Sequence, residues 1–243
     1  MRNNGYPYAL KVSSHRSDYA IVVDATGKPL KTHLKTEFAA MPTTVVQVLV
    51  DDINNLSTGA EFTESLVFCL LSTFSIEESP NFQLYLDTDL QWDAAYRLSD
   101  DEEIAEFQFQ CISAVTKRLK DHWVSLPQNN CATIEEMHSA GLAFVADQVL
   151  DYWRTFTKDF NQYEIYVVEL LQSIFGGIHL SMILLWVKGK ISGEDLMKSS
   201  LFLSCYKEDL ESPKFSKQEK ADIAYFTKRL DALRNCLKHL SGV

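Results

Sequence analysis

Leu170-Leu-Gln-Ser-Ile-Phe-Gly-Gly-Ile-His-Leu-Ser-Met-Ile-Leu-Leu-Trp-Val187 runs 18 residues without a charge and stops at Lys188-Gly189-Lys190. Eighteen residues is the lower limit for a transmembrane helix. Gln172, Ser173, His179 and Ser181 interrupt the run, and Glu164 and Glu169 lie within two turns upstream. Gln and His are costly in hydrocarbon, whereas a helix apolar nearly all round is at home in the centre of a helical domain. The stretch therefore reads as a single helix, the buried axis of a soluble helical domain, with no membrane span. Gly176-Gly177 is no phosphate loop, since no strand precedes it and no Lys-Ser/Thr follows. Two glycines there let a neighbouring helix approach closely, at about 1 kcal/mol each relative to Ala.

Outward from this axis the helical pattern continues on both sides. Four starts carry a hydroxyl with a carboxylate three residues later, the pattern that satisfies free backbone N–H groups at a helix N-terminus: Ser99/Glu102, Thr133/Glu136, Ser192/Asp195 and Ser216/Glu219. The first predicts a helix burying Ile104, Phe107, Cys111, Val115 and Leu119 and ending near Trp123; the second carries Met137, Gly141, Phe144, Val149 and Trp153. The third runs from Ser192 to about Lys207. The last presents Ile223, Phe226, Leu230, Leu233, Leu237 and Leu240 at spacings of 3 and 4, a seam suited to packing inside a bundle.

The helical pattern begins at Thr43, where Val45, Val46, Leu49, Val50 and Ile53 recur at helical spacing after Met41-Pro42. Before it the chain reads as β structure. Tyr8–Val12 and Tyr19–Val23 are short apolar runs, and Asp24-Ala-Thr-Gly27 reads as a hairpin turn with glycine at the left-handed position. Lys28-Pro-Leu-Lys-Thr32 returns as a short edge strand. The expected fold is α+β: a small β-rich N-terminal domain over 1–42, then a larger all-helical domain over 43–243.

Composition narrows the function. Across 243 residues, 46% are hydrophobic and 23% charged, and Gly and Pro number only 9 and 6, which leaves little room for disordered linkers. A net charge of −10 argues against nucleic acid, whose phosphates need a dense cationic face. The balance is uneven: residues 214–238 hold seven Lys/Arg against three Asp/Glu, so the first 213 residues carry −14. The five cysteines (69, 111, 131, 205, 236) are widely spaced, and all but Cys131 sit in apolar helical patterns, as reduced core or near-core residues do. MRNNGYPYALKVSS has neither the apolar core of a secretory signal nor an Arg-rich transit helix. The expected location is cytoplasmic in a bacterium, or the mitochondrial matrix for a processed eukaryotic protein.

No catalytic motif stands out. Cys236 and His239 are half of a metal site without a second pair at zinc-like spacing, so no metal or cofactor is expected. His179 reads as a core histidine. The run Asp100, Asp101, Glu102, Glu103 sits where a helix dipole favours negative charge. Asp87 and Asp89, flanking Thr88 after Leu84-Tyr85-Leu86, remain as candidate carboxylates for general acid/base work or for divalent ions.

Taken in order, these landmarks resemble the assembly chaperone family that holds the alpha subunit of the F-type ATP synthase catalytic head. Tyr19-Ala-Ile-Val-Val-Asp-Ala-Thr-Gly-Lys-Pro-Leu-Lys-Thr32 is similar to the family's N-terminal hairpin. Tyr85-Leu-Asp-Thr-Asp-Leu90 matches its tyrosine-leucine-x-threonine-aspartate-leucine helix, with Gln108 or Gln110 for the glutamine of its next helix. Leu170–Ser200, through Gly189-Lys-Ile-Ser-Gly-Glu-Asp-Leu196, is similar to its apolar helix and the turn into its penultimate helix. Three departures stand out. The family's functionally important glutamate falls on Leu203, its tryptophan-glycine after Tyr206-Lys207 is absent, and so is its tryptophan-x-x-glutamine segment after the first helix.

The resemblance implies a monomeric, non-enzymatic chaperone that covers the beta-facing surface of a free alpha subunit until assembly. It also implies an apolar patch rimmed by polar residues. Trp186, Met197 and Tyr206 are the candidate contacts, with Glu194, Glu208 and Asp209 as rim charges and Asp87, Thr88 and Asp89 as the family motif. The alternatives are a general protein-interaction module using the basic C-terminal helix, and an enzyme built on Asp87/Asp89 or His179.

Overall fold

The computed structural model describes residues 11–16, 18–24, 26–56, 60–74, 82–90, 93, 147–175, 180–201 and 216–241. Three strands form one antiparallel sheet in the order β1 (Lys11–Arg16), β2 (Tyr19–Val23), β3 (Met41–Pro42). β1 pairs with β2 from Lys11 opposite Val23 to Ser14 opposite Ala20, then shifts register to place Arg16 opposite Tyr19. Met41-Pro42, expected as a plain boundary, is itself the short third strand opposite Ala20 and Tyr19.

The turn after β2 has the expected form. Asp24 accepts the Gly27 N–H at 3.0 Å on its carbonyl, and its N–H donates to the Lys28 carbonyl at 2.9 Å. Its Oδ1 accepts from Thr26 N (2.8 Å), Thr26 Oγ1 (2.6 Å) and Lys28 N (3.0 Å). These bonds, led by the Thr26 hydroxyl, hold the Asp24 carboxyl below its ordinary value. Gly27 takes φ +84°, a conformation glycine adopts without Cβ strain. Lys28–Thr32 returns as isolated bridges, Val23 to Pro29 and Lys31 to Glu37, since Pro29 has no N–H to continue a ladder.

Eight α-helices and one 3-10 turn follow among the described residues: α1 (Thr43–Asn54), the turn Phe62–Glu64, α2 (Leu66–Phe74), α3 (Phe82–Leu90), α4 (Asp147–Thr157), α5 (Gln162–Phe175), α6 (Leu180–Val187), α7 (Gly193–Leu201) and α8 (Lys217–Ser241). Helix thus dominates, with a small sheet near the N-terminus. None of these helices is long and apolar enough to cross a membrane. The 170–187 run, expected as a single helix, is carried by two: α5 as far as Phe175 and α6 from Leu180. Residues 176–179, including His179, lie outside the described residues. So do the caps at Ser99 and Thr133, the helix expected over 104–123, Gln108, Gln110, Cys111, Cys131 and Cys205.

The chain divides into two compact units with interleaved segments. One holds Met1–Pro80, Asn161–Leu170 and Thr227–Val243; the other holds Asn81–Phe160 and Leu171–Phe226. The border expected at 42/43 falls inside the first unit. There α1 packs on β1 and β2, because a sheet of three short strands needs a helix over its apolar face to be stable. Ala20 and Val22 from β2, with Leu30 and Phe38, meet Val45, Val46, Leu49 and Ile53 of α1, Val67, Phe68 and Leu71 of α2, and Cys236 of α8.

In the second unit α3 packs against α4 and α6, and α6 packs against α7. All eight residues of α6 are buried. Val149 and Trp153 of α4 are buried as their spacing predicts.

Candidate functional site

A short buried helix such as α6 has N–H groups at its start that need partners. Asp93, itself fully buried, supplies one: its Oδ2 accepts the Ser181 N–H at 2.6 Å. Its negative charge also complements the positive end of the helix dipole.

The Asp87-Thr88-Asp89 motif occupies the last turn of α3. Asp87 binds Arg154 of α4 in a fork, with Nε to Oδ1 at 3.1 Å and Nη2 to Oδ2 at 2.5 Å. The other arm of Arg154 donates to Asp151 Oδ1 at 2.7 Å. Hydrogen bonds to Asp87 first, and Asp151 second, push the guanidinium pKa above its ordinary value, so Arg154 is permanently charged. Asp89 Oδ2 accepts from Gln172 Nε2 of α5 at 2.9 Å. Thr88 is exposed. Asp87, Asp89 and Asp93 thus tie the end of α3 to α4, α5 and α6 in turn. Both carboxylates offered for acid/base work are engaged in these ties.

Beyond α6 the chain reverses through a compact cap. Lys190 N donates to the Leu185 carbonyl and Gly189 N to the Trp186 carbonyl, each at 2.9 Å, the paired bonds of a Schellman motif. Gly189 has φ +69°, as that motif requires. Lys188 lies over the Phe160 ring, 4.2 Å from its centroid. The predicted box then starts α7: Asp195 N donates to Ser192 Oγ at 3.0 Å, and Asp195 Oδ2 accepts from Ser192 Oγ at 2.7 Å. Glu194 on the first turn is exposed and pairs with Lys198.

The expected partner contacts fare differently. Trp186 is 0% exposed and Met197 4%, so neither presents apolar surface; α6 is buried on every side, and Met197 lies on the buried side of α7. Both side chains lie in the core of the second unit. Glu194 is at the surface, as a rim charge must be. Tyr206, Glu208, Asp209 and Leu203 lie outside the described residues. Cys236 is buried while His239, on the same helix, is exposed, and no three His, Cys, Asp or Glu side chains converge on a point among the described residues. Sequence reasoning missed Asp93 and Arg154, whose partners lie 88 and 67 residues away.

Two solved structures share this architecture over almost their whole length. One is Atp12 from Paracoccus denitrificans (TM-score 0.52) and the other an Asp-to-Lys mutant of P. denitrificans Atp12 (TM-score 0.51). Each is 12% identical, with 97% of this chain and 96% of the other covered. By its fold this is an Atp12-like chain. No family model and no curated protein matches the sequence. In this Atp12-like fold, the ties from Asp87 and Asp89 give the tyrosine-leucine-aspartate-threonine-aspartate-leucine motif a physical role: it anchors α3 to the helices around it.

Proposed function

We propose that this chain is a divergent Atp12 family member acting as an ATP synthase assembly chaperone. It binds the free alpha subunit of the catalytic head and shields the surface that beta later occupies. The observation that carries the reading is the likeness to Atp12 along 97% of the chain. Asp87 and Asp89, the carboxylates of the enzyme alternative, are engaged in ties to Arg154 and Gln172. The protein works as a monomer, without cofactor or covalent chemistry, where catalytic heads are assembled: the bacterial cytoplasm or the mitochondrial matrix.

The contact surface is assigned to Glu194, with Tyr206, Glu208 and Asp209 in the segment after α7. Affinity capture from cells under native conditions tests the proposal. The tagged chain should retain free alpha subunit and release it when purified beta is added, and it should not retain assembled alpha–beta. Recovery of no alpha subunit from cells that contain it would defeat the chaperone reading and favour a general interaction module.

A further inference from the structure

After the Asp24–Gly27 turn the chain of the first unit folds back on itself a second time, over residues 30–38. The stem of this second hairpin is fixed from inside: Leu30, Thr32 and Phe38 are buried, and Phe38 N donates to the Leu30 carbonyl at 3.3 Å. Lys31 bridges Glu37 across the stem. Thr32 N donates to the Thr36 carbonyl at 2.8 Å, Lys35 N donates to the Thr32 carbonyl at 2.9 Å, and the Thr32 and Thr36 hydroxyls share a hydrogen bond of 2.7 Å. His33, Leu34 and Lys35 stand at the tip, all exposed.

Three properties of the tip are not explained by folding. Leu34 is 55% exposed, more than the other exposed large hydrophobics, Tyr19 and Ile174. A lone exposed leucine is ordinary, but this one sits at the apex of a stem closed by hydrogen bonds. Beside it, Lys35 holds φ +65°, the one non-glycine residue at positive φ among the described residues. Hairpin loops of this length give that position to glycine. A lysine there strains the backbone and keeps a cation at the tip. Residues 25–36 carry Lys28, Lys31 and Lys35 and no Asp or Glu, so the chain's −10 is −13 outside them. Among the described residues, neither Lys31 nor Lys35 has a carboxylate within ion-pair distance.

These features select among surfaces the tip could meet. Nucleic acid needs a denser cationic face, with aromatic side chains to stack on bases. An anionic bilayer is held by clusters of about 4–8 Lys/Arg; the three here fall short, and the acidic remainder of the chain opposes them. A protein pocket needs one well-fitted apolar side chain, with rim charges to steer it. A tip already closed by hydrogen bonds loses little freedom on docking. We infer that the 33–35 tip is a contact for a partner protein, Leu34 entering an apolar pocket while Lys31 and Lys35 meet carboxylates at its rim. The inference rests on the chaperone reading: the free alpha subunit offers that acidic-rimmed pocket. The tip is then a contact in the first unit, far in sequence from Glu194 and the segment after α7.

The test titrates the full-length protein, Leu34→Ser and Lys35→Gly against free alpha subunit and reads the half-saturating concentration. Leu34→Ser should raise it at least about tenfold, with an unfolding midpoint within about 2 °C of wild type. Lys35→Gly relieves the backbone and should raise the midpoint by about 2 °C, yet weaken capture about threefold, a deficit that closes as salt rises. Wild-type capture by Leu34→Ser overturns the inference and leaves the chaperone reading intact; an unmodified chain that retains no alpha subunit defeats both. Wild-type capture by Lys35→Gly at low salt also overturns it, as does a lowered midpoint, because Lys35 would then serve the fold. Binding of the unmodified protein to phosphatidylserine vesicles that Leu34→Ser abolishes, or a dimer that Leu34→Ser dissociates, would give the tip a different occupant and overturn it too.

Discussion

Cys236 shows what burial alone does to a reactive group. It lies in the core of the first unit, and desolvation, followed by the nearby Asp52 charge, pushes its thiol up to about 12. The raised value means that the thiol form is favoured by folding. That contribution is complete below the ordinary value of 9.0 and is lost as pH rises through about 12. At pH 8 an alkylating reagent should therefore leave Cys236 unmodified in the native protein and label it fully after denaturation, as read by peptide mass mapping. Equal labelling in both states would show that the helix opens freely. The same principle explains which single residues are legible in sequence. Cys69 and Cys236 were placed correctly because each lies in an apolar helical pattern. The burial of Trp186 and Met197 is not legible from residue type, because aromatic and sulfur side chains mark interfaces as often as cores. Only the rest of α6, seven further buried residues in the same helix, decides the matter for Trp186.

At the scale of elements, local chemistry carried most of the information. Asp24–Gly27 forms the predicted turn, and Ser192/Asp195 and Ser216/Glu219 form the predicted boxes, since each depends on residues three or four apart. Asn161/Glu164 is a third box, which a search for hydroxyl caps passes over although Asn caps as well as Ser. The cap of α6 was not legible, because Asp93 lies outside any local pattern. The reversal between α6 and α7 offers two clean measurements. Ser192→Ala removes the acceptor for the Asp195 N–H and should cost about 1 kcal/mol. Gly189→Ala meets no steric neighbour but must hold φ +69°, and should cost about 1–2 kcal/mol. If Gly189→Ala proved neutral by chemical denaturation, the Schellman geometry would not be what ends α6.

For the whole molecule, the amount of helix and the small N-terminal sheet were legible, whereas the assignment of segments to units was not. An apolar seam states that a helix is covered but not by what. The parts of α5 and α8 that belong to the first unit are for this reason invisible to periodicity. The same distinction separates fold from function in a partner-binding test that rests on the chaperone reading. Trp186→Ala empties a fully buried site and should cost about 3–5 kcal/mol, so any loss of alpha-subunit capture would follow from unfolding. Glu194→Lys changes an exposed side chain, losing a helix-start charge and the pairing with Lys198, and should cost under about 1 kcal/mol. Yet if α7 and the segment after it form the contact surface, reversing that rim charge should weaken capture of the free alpha subunit at least fivefold and make the residual binding less sensitive to salt. Full capture by Glu194→Lys at unchanged salt dependence would move the contact surface away from α7, while leaving the assignment as a chaperone to stand or fall on capture by the unmodified chain.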